Sequence, residues 1–243
     1  LVLDVDPWAS SVAQHLGVLE EVSGLLASAR SIATGDFGAR YRGLQRRVAG
    51  LRLVSGLPRP DRWTEVRSGT VETLMDVGRQ QGDVVVDTGF SLEEDVAAEH
   101  LGRTSRNSMT LEALAAADTI VVVGSADPIG LARLARGLVE LREANEGPVV
   151  HVVVNRMRGS LGWSEQEVAS MVSSFAGVAG IHFLPDDGPA TDRALLAGRT
   201  LAELGESSLS KAMSRLVDGL RPDLAPRRRR GFRRRTAGAG RRS

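Results

Sequence analysis

The sequence predicts an α/β fold in which a doubly wound, mostly parallel sheet is covered by helices on both faces. Strand candidates alternate with helical stretches of about 10 to 15 residues, as in chains of strand–helix–strand units. The strand candidates are continuous apolar runs, as is typical of strands that are buried on both faces. These runs also end in polar residues, and in open α/β sheets the ligand lies outside the carboxyl ends of the strands.

In the first half of the chain, the apolar run at residues 1–5 predicts a buried strand that carries Asp4 and ends at Asp6. The strand that ends in Asp87 and Thr88 is a run of three valines between two aspartates. The elements predicted in this half after the first strand are helical stretches around 18–29 and 44–48, a strand at 51–55, a helix at 71–77 and a strand at 83–87.

In the second half, a long helix after Pro128 has one apolar face, and Gly147 and Pro148 end it. The two strands that follow this helix end in Asn155 and in the sequence Pro-Asp-Asp at 185–187. The elements predicted in this half are a helix at 111–117, a strand at 119–124, the helix after Pro128, a strand at 149–154, a helix at 165–175, a strand at 181–184 and a helix at 209–220.

The composition excludes several classes of function. The chain has no cysteine, which excludes a disulfide framework, a thiolate metal site and a cysteine nucleophile. Its four histidines are too scattered to predict a zinc site, and no Gly-x-Ser-x-Gly sequence indicates a serine hydrolase. No apolar run reaches the roughly 18 residues of a membrane span, and no signal peptide opens the chain. These observations predict a soluble intracellular protein.

The charge is distributed unevenly along the chain. Residues 221–243 contain ten arginines and one aspartate, a net charge of +9, so residues 1–220 carry −8 within a total of +1. We therefore expect two parts: a folded domain at 1–220 and a disordered Arg-rich tail at 221–243. Such a tail is suited to nucleic acid, to an anionic membrane or to an acidic partner, and the alternative is a tail that only aids solubility.

Polar residues follow five of the predicted strands. Because the carboxyl ends of parallel strands meet at one edge of a sheet, these residues predict a ligand site there. The alternative is that strand ends are polar simply because loops are polar. The residues concerned are Asp4 and Asp6, Asp87 and Thr88, Ser125 and Asp127, Asn155, and Asp186.

Five segments, taken in order, resemble the MinD/ParA family of P-loop ATPases, including its CpaE-like branch associated with pili and secretion. The resemblance covers about residues 1–218. The segments are Leu-Val-Leu-Asp-Val-Asp-Pro (1–7), Gly-Asp-Val-Val-Val-Asp-Thr-Gly (82–89), Ala-Asp-Thr-Ile-Val-Val-Val (117–123), Val-Val-Val-Asn-Arg (152–156) and Phe-Leu-Pro-Asp-Asp (183–187). One departure is Phe90 after Asp87-Thr88-Gly89, where many relatives have proline or alanine after the Thr or Ser.

The resemblance implies an ATP and Mg²⁺ site. Asp6 matches the residue that positions the attacking water, and Asp4 matches a residue near the water shell of Mg²⁺. Asp87 matches the Walker B aspartate, which usually holds Mg²⁺ through water. These roles agree with general chemistry, since phosphoryl transfer needs an oriented water and a hard cation that is held by oxygen ligands.

On the same basis, Asn155 matches the residue that reads the edge of adenine, and Pro185 and Asp186 match the loop beside the base. The family also implies a homodimer that forms with ATP, a cargo or activator protein, and a cytoplasmic location at the surface of the nucleoid or of the inner membrane. Family members position a chromosome or plasmid, the division septum, or a pilus or secretion machine. The C-terminal membrane helix of MinD relatives is not carried over, because the tail has one aromatic residue, Phe232, and no apolar face.

The glycine-rich phosphate loop of the family, with its lysines, does not occur in these 243 residues, because the only lysine is Lys211. The chain starts inside a predicted strand, so we expect a fragment whose phosphate loop, and the central strand before it, precede Leu1. We expect no ATP hydrolysis by this chain alone. Two alternatives stay open: a degenerate relative that acts as a partner-binding scaffold, and a Rossmann-type oxidoreductase or methyltransferase, which would need a Gly-x-Gly-x-x-Gly fingerprint that this chain lacks.

Overall fold

The computed structural model describes residues 1–19, 22–95, 104–144, 147–175 and 177–224. Within these residues the strands form two sheets, which we call sheet A, with the order β2-β3-β1-β4, and sheet B, with the order β5-β6-β7. The strands are β1 (Val2–Asp4), β2 (Arg46–Val48), β3 (Leu51–Val54), β4 (Val85–Asp87), β5 (Thr119–Ser125), β6 (Val149–Met157) and β7 (Gly180–Pro185).

Helices surround the two sheets, and three short 3₁₀ helices lie at Tyr41–Leu44, Pro60–Glu65 and Gly159–Leu161. The α-helices of the described residues are α1 (Val12–His15), α2 (Gly24–Thr34), α3 (Phe37–Arg40), α4 (Thr70–Arg79), α5 (Ser108–Ala116), α6 (Pro128–Ala144), α7 (Glu165–Ser173), α8 (Gly188–Ala197), α9 (Leu201–Leu204) and α10 (Ser208–Leu220). In the part of the chain that the structure describes, none of these helices combines the length and the apolar character that crossing a membrane requires.

Sheet A pairs segments that are far apart in the sequence. Strand β1 lies between β3 and β4 and is parallel to both, so that Val2 is opposite Leu53 on one side and Val85 on the other. Its inner residues Leu3 and Val5 are completely buried in a core that α2, α4 and α5 share. The apolar run that predicted this strand is therefore explained by burial on both sides.

The helix predicted around residues 44–48 is wrong. Residues up to Leu44 form a 3₁₀ helix, and the chain then enters β2, which pairs antiparallel with β3. Ala49 and Gly50 connect the two strands, with φ angles of 49° and 75°. Positive φ at both central residues is the geometry of a tight two-residue hairpin, and Ala-Gly lacks the Asn or Asp that usually signals it.

Sheet B is parallel throughout. Strands β5 and β6 pair from Thr119 opposite Val149 to Ser125 opposite Asn155. Helix α6 covers one face with Leu131, Leu134 and Leu138, and α10 covers the other face beside Val153 and β7. The register of β6 and β7 shifts between Val154 and Met157, and such an irregularity changes the direction of the side chains at the end of β6.

The predicted fold class is confirmed: mostly parallel sheets are flanked by helices. The helix predicted at 18–29 differs, since the structure has α1 and then α2 from Gly24 to Thr34, with residues 20 and 21 outside the described part. Helices α8 and α9 were not predicted. Most of the predicted tail, residues 225–243, lies outside the described residues.

Candidate functional site

Three carboxylates meet at the carboxyl ends of β1 and β4. Asp4 and Asp87 are opposite each other in the register of the two strands, and the backbone N–H of Val5 donates to the carbonyl oxygen of Asp87 at 2.9 Å. Asp6 follows one residue later, where β1 has left the sheet. The sequence-based expectation that these strand ends share one edge is therefore met by the geometry.

Asp4 is the buried member of this cluster, with 1% of its surface exposed. Its Oδ2 accepts a hydrogen bond from the N–H of Val12 at 3.1 Å, and its Oδ1 accepts a longer one from the N–H of Asp6 at 3.4 Å. Burial raises the pKa of Asp4, and the hydrogen bonds from its neighbours oppose that rise. A Cβ at Gly56 would lie 2.6 Å from Oδ1, so this carboxylate needs a glycine beside it.

Asp87 is the most perturbed of the three. Burial of the carboxyl group, and then the charges of Asp4 and Asp6, raise its pKa from 3.8 to about 6, and His15 opposes the rise. In the described residues no arginine or lysine forms an ion pair with these three aspartates. A group of like charges without an ion-paired arginine or lysine is the arrangement that a bound cation would relieve.

Asp6 lies in a short turn that fixes one of its two oxygens. Its Oδ1 accepts a hydrogen bond from the N–H of Trp8 at 2.8 Å, and the Ser10 hydroxyl donates to the Asp6 carbonyl oxygen at 2.7 Å. The same Ser10 hydroxyl accepts from the N–H of Leu57 at 2.9 Å, which ties this turn to the end of β3. Asp6 is therefore held on a turn that is braced from both sides.

The loop after β4 is fastened to the start of α5 by residues that sequence reasoning missed. The Thr110 hydroxyl accepts from the N–H of Gly89 at 3.2 Å, and the Asn107 amide donates to the Glu93 carbonyl oxygen at 2.9 Å. The Trp8 ring packs against Phe90 in a tilted arrangement with 5.4 Å between centroids, and its indole N–H donates to Asn107. The loops of Asp6 and Asp87 are thus joined through one aromatic contact.

A second group of predicted residues meets at the carboxyl ends of β6 and β7. The N–H of Asp186 donates to the Met157 carbonyl oxygen at 2.9 Å, and Pro185 is opposite Met157 in the sheet. Asn155 lies within the register shift between Val154 and Met157, and its Oδ1 accepts from the N–H of Arg156 at 2.8 Å. The structure therefore brings Asn155, Pro185 and Asp186 to one edge, as the sequence predicts. Their binding to adenine stays a prediction.

The two groups lie on the same side of the molecule. The turn after α1, which follows β1, packs against the end of α8, which follows β7: a Cβ on Gly17 would lie 3.1 Å from the Gly198 carbonyl oxygen. At the opposite ends of the strands, Arg79 at the end of α4, which leads into β4, lies 3.4 Å from Asp118, which immediately precedes β5. The carboxyl edges of sheet A and sheet B therefore face the same way, as one continuous ligand site requires.

The carboxylate group fits a magnesium ion only if other ligands complete its coordination. Among the described residues, no three His, Asp or Glu side chains are placed to hold a metal ion by themselves. Mg²⁺ is usually bound by one or two carboxylates together with waters and substrate phosphates, rather than by an all-protein cage. Asp4 and Asp87, each with its pKa raised by burial, suit that mode of binding.

Comparisons with solved structures identify the class of fold. Neither protein-family models nor curated proteins give a match. A ParA family ATPase from Chlorobium tepidum matches with a TM-score of 0.68 and 18% identity, over 90% of this chain and 85% of that chain. A plasmid partition protein from Borrelia burgdorferi bound to AMPPNP matches with a TM-score of 0.62 and 13% identity, over 91% and 86%.

MinD in its complex with MinC from Aquifex aeolicus matches with a TM-score of 0.59 and 14% identity, over 93% of this chain and 83% of that chain. The chain therefore has an α/β fold of the P-loop NTPase type. More particularly, it has the fold of the ParA/MinD ATPases, which confirms the resemblance read from the sequence at the level of the fold.

Proposed function

We propose that this chain carries the magnesium side and the base side of the ATP site of a ParA/MinD-type positioning ATPase. The observation that carries this proposal is the convergence of Asp4, Asp6 and Asp87 at the carboxyl edge of sheet A. They meet without an ion-paired arginine or lysine among the described residues, in a fold shared with these ATPases. Asn155, Pro185 and Asp186 at the neighbouring edge of sheet B supply the contacts to adenine.

In this proposal the three carboxylates have different roles in ATP hydrolysis. The Oδ1 of Asp6 holds the N–H of Trp8, which leaves Oδ2 to accept a proton from the water that attacks the terminal phosphate. When bound, Mg²⁺ would supply neutralisation of charge on the phosphate oxygens. Asp87 and the more deeply placed Asp4 would hold that ion through its water shell with their carboxylate oxygens.

Base recognition is assigned to the end of β6. Since the Oδ1 of Asn155 already accepts from the N–H of Arg156, its amide N–H₂ is the group that can donate to a ring nitrogen of adenine. The backbone of Asp186 is fixed by the hydrogen bond from its N–H to the Met157 carbonyl oxygen, and its carboxylate Oδ2 lies 3.8 Å from the guanidinium of Arg158. Pro185 then supplies an apolar side of the base site.

The cellular role that follows is the positioning of cargo through an ATP-dependent homodimer and a partner protein. Support comes from the fold alone: the neighbours are partition and cell-division proteins, one of them bound to AMPPNP and one in a complex with MinC. The Arg-rich tail, with a net charge of +9 over residues 221–243, is proposed to attach the protein to a polyanion. A nucleoid or inner-membrane surface in the cytoplasm would provide one.

A second candidate is a partner-binding scaffold without turnover. One observation favours it: the only lysine of the chain, Lys211, lies in α10 and pairs with Glu206 at 2.9 Å, so it is not part of a glycine-rich phosphate loop. Phosphoryl transfer in P-loop NTPases depends on that lysine and on the loop backbone. The two candidates differ in whether Mg²⁺ and ATP bind the carboxyl edge at all.

A binding experiment tests the proposal. The 243-residue protein is titrated into a fluorescent ATP analogue, with and without Mg²⁺, and anisotropy is recorded. We expect weak binding that Mg²⁺ strengthens; Asp87→Asn removes the effect of Mg²⁺, and Asn155→Ala weakens binding in both conditions. The control is Asp76→Asn, which changes an exposed aspartate of α4 that pairs with Arg79. Absence of binding, or equal effects of Asp87→Asn and Asp76→Asn, would favour the scaffold.

A further inference from the structure

Two of the four histidines meet on sheet B, although 31 residues separate them in the sequence. His151 lies in β6 and His182 lies in β7, and these two strands are neighbours in the sheet. The Nδ1 of His151 is 3.1 Å from the Nε2 of His182, and the two rings are stacked with 5.4 Å between centroids. The proposed nucleotide site uses neither residue, so this contact needs an explanation of its own.

The register of the sheet explains why the two rings meet. His151 lies opposite Val121 of β5 on one side and opposite Gly180 of β7 on the other, and opposite residues direct their side chains to the same face. Because Gly180 has no side chain, the ring of His151 has room above β7. There it meets the ring of His182, which is two residues further along β7 and on the same face.

Gly180 keeps space free beside both ring nitrogens. A Cβ at this position would lie 2.9 Å from the Nδ1 of His151 and 3.1 Å from the Nε2 of His182. The φ angle of Gly180 is not in the left-handed region, so its backbone does not by itself require glycine. The glycine therefore provides an open position that is almost equally close to two imidazole nitrogens.

Helix α10 holds the ring of His182 in place. A Cβ at Gly219 would lie 2.7 Å from the Cε1 of His182, so the helix backbone packs directly against the imidazole. The helix is fixed to the sheet by Leu209 and Leu216, which are buried beside Val153. A sheet and a packed helix thus hold the two nitrogens, and metal sites need rigid support of this kind.

The distance between the two nitrogens fits a single metal ion. Bonds from imidazole nitrogen to Zn²⁺ are about 2.0 to 2.1 Å long, so two nitrogens 3.1 Å apart subtend roughly 100° at the ion. This angle lies between the values of square-planar and tetrahedral coordination, which suits both Cu²⁺ and Zn²⁺. The chain has no cysteine, so imidazole nitrogen is its best ligand for these ions.

Both rings are accessible to water. His151 and His182 are half-buried, and Val121, beside His151 on the same face, is 37% exposed. Among the described residues, no third His, Asp or Glu is placed to join the two histidines. An ion that is held here therefore keeps coordination positions for water.

We propose that His151 and His182 form a binding site for one Zn²⁺ or Cu²⁺ ion, with water molecules as its remaining ligands. The Nδ1 of His151 and the Nε2 of His182 bind the ion in place of their mutual hydrogen bond. The proton that one of these nitrogens donates moves to the other nitrogen of its own ring, so both imidazoles stay neutral. The ion links β6 to β7 and stabilises sheet B.

This site is separate from the carboxyl edge in position and in chemistry. His151 precedes Asn155 by four residues on β6, which is about 13 Å along the strand. Carboxylate oxygens at that edge suit Mg²⁺, whereas imidazole nitrogens suit Zn²⁺ and Cu²⁺. The proposal therefore does not depend on the proposed ATP site, and it is tested in excess Mg²⁺.

Zinc binding by the 243-residue protein tests the proposal. The protein competes with a fluorescent zinc indicator at about pH 7.5, where an ordinary imidazole is neutral. We expect saturable binding of one Zn²⁺ per chain, displacement of Zn²⁺ by Cu²⁺, and a higher midpoint of thermal unfolding in the presence of Zn²⁺. No binding, or binding that excess Mg²⁺ abolishes, would overturn the proposal.

Variants of the two strands locate the site. His151→Gln and His182→Gln should each weaken zinc binding by about 100-fold or more, because even a residue that only supports a ligand contributes about 10 to 100-fold. His15→Gln, outside sheet B, should bind as the original protein does. Gly180→Ala keeps both imidazoles but places a methyl group beside both nitrogens and should also abolish binding, whereas Gly177→Ala, whose Cβ would lie in open space, should not.

A measurement on the original protein does not depend on how the variants fold. NMR of the imidazole nitrogens shows which nitrogen of each ring carries the proton. With Zn²⁺ bound, His151 should be protonated at Nε2 and His182 at Nδ1. Zinc-induced shifts at His15 instead of these two rings, or equal binding by Gly180→Ala and Gly177→Ala, would overturn the proposal.

Discussion

Replacing Asp87 by asparagine should stabilise the folded protein near neutral pH. The pKa of Asp87 is raised from 3.8 to about 6 by burial and by the charges of Asp4 and Asp6, so its ionised form is disfavoured in the fold. An asparagine at this position would keep the shape of the side chain and remove the charge. Among the described residues, burial and charge alone shift the pKa of the Asp87 carboxylate, with no hydrogen bond to it, so the substitution breaks none.

The difference between 3.8 and about 6 corresponds to about 3 kcal/mol at 1.36 kcal/mol per pH unit. Asp87 is exposed by surface area although Asp4 beside it is buried, so solvent screening reduces the expected gain of Asp87→Asn to about 1 to 2 kcal/mol at pH 7.5. Below about pH 3.8 the raised pKa does not destabilise the fold, because the carboxyl group is protonated in both the folded and the unfolded state. The loss of folding free energy grows as the pH rises towards 6 and is complete above pH 6.

Urea unfolding, followed by the fluorescence of the three tryptophans, measures this difference. The free energy of unfolding of Asp87→Asn should exceed that of the original protein at pH 7.5, and the difference should shrink towards zero at about pH 4. Asp76→Asn is the control and should show no such trend. An Asp87→Asn protein that is less stable at pH 7.5, or a difference that is independent of pH, would refute the electrostatic reasoning.

Four further predictions concern other parts of the chain. Gly56→Ala should lower the free energy of unfolding by about 1 to 3 kcal/mol, because its Cβ would crowd Asp4, whereas Gly137→Ala on an open helix surface should raise it by about 0.5 to 1 kcal/mol in the same urea experiment. Ala49→Gly should raise it by about 0.5 to 1 kcal/mol, because φ is 49° there. Asp187→Ala should lower the free energy of unfolding at pH 7, and by less as the pH falls, because this residue caps α8 and the Ser208 hydroxyl lowers its pKa. The full chain should bind duplex DNA and anionic vesicles with an affinity that falls as the salt concentration rises, and removing residues 225–243 should abolish this binding. Binding that survives the deletion would contradict a polyanion site in the tail.

The strands of this fold were predictable because continuous runs of apolar, β-branched residues favour strands, even in β4 and β5, where Val85 and Val123 are 63% and 62% exposed. The three valines before Asp87 and the run at β5 are such patterns. The hairpin of β2 and β3 was not predictable in the same way, since Arg46 and Arg47 occupy an exposed edge and Ala49 adopts a positive φ without a signalling residue. Helix α8 was missed because it begins at Gly188-Pro189, which resembles a loop, and its Leu196 is exposed.

The grouping of the three carboxylates was predictable from the sequence, whereas the raised pKa of Asp87 was not, and the roles of these residues in a site stay a prediction. The rule that ligands lie at the carboxyl ends of strands was enough to group Asp4, Asp6 and Asp87. The raised pKa of Asp87 depends on the pairing of β1 with β4, segments that no local pattern connects. The same is true of the contacts from Asn107 and Thr110, whose partners Trp8 and Gly89 are far away in the sequence.

The most direct test of the central claim is where a divalent ion with ATP binds on this fold. Mn²⁺ takes oxygen ligands as Mg²⁺ does and broadens the NMR signals of nearby amides. With Mn²⁺ and ATP together, the signals of Asp6 and Thr88 should broaden first, followed by that of Asn155, and Asp87→Asn should remove the effect. Broadening that spares these residues, or that is unchanged by Asp87→Asn, would contradict a nucleotide site at the carboxyl edge.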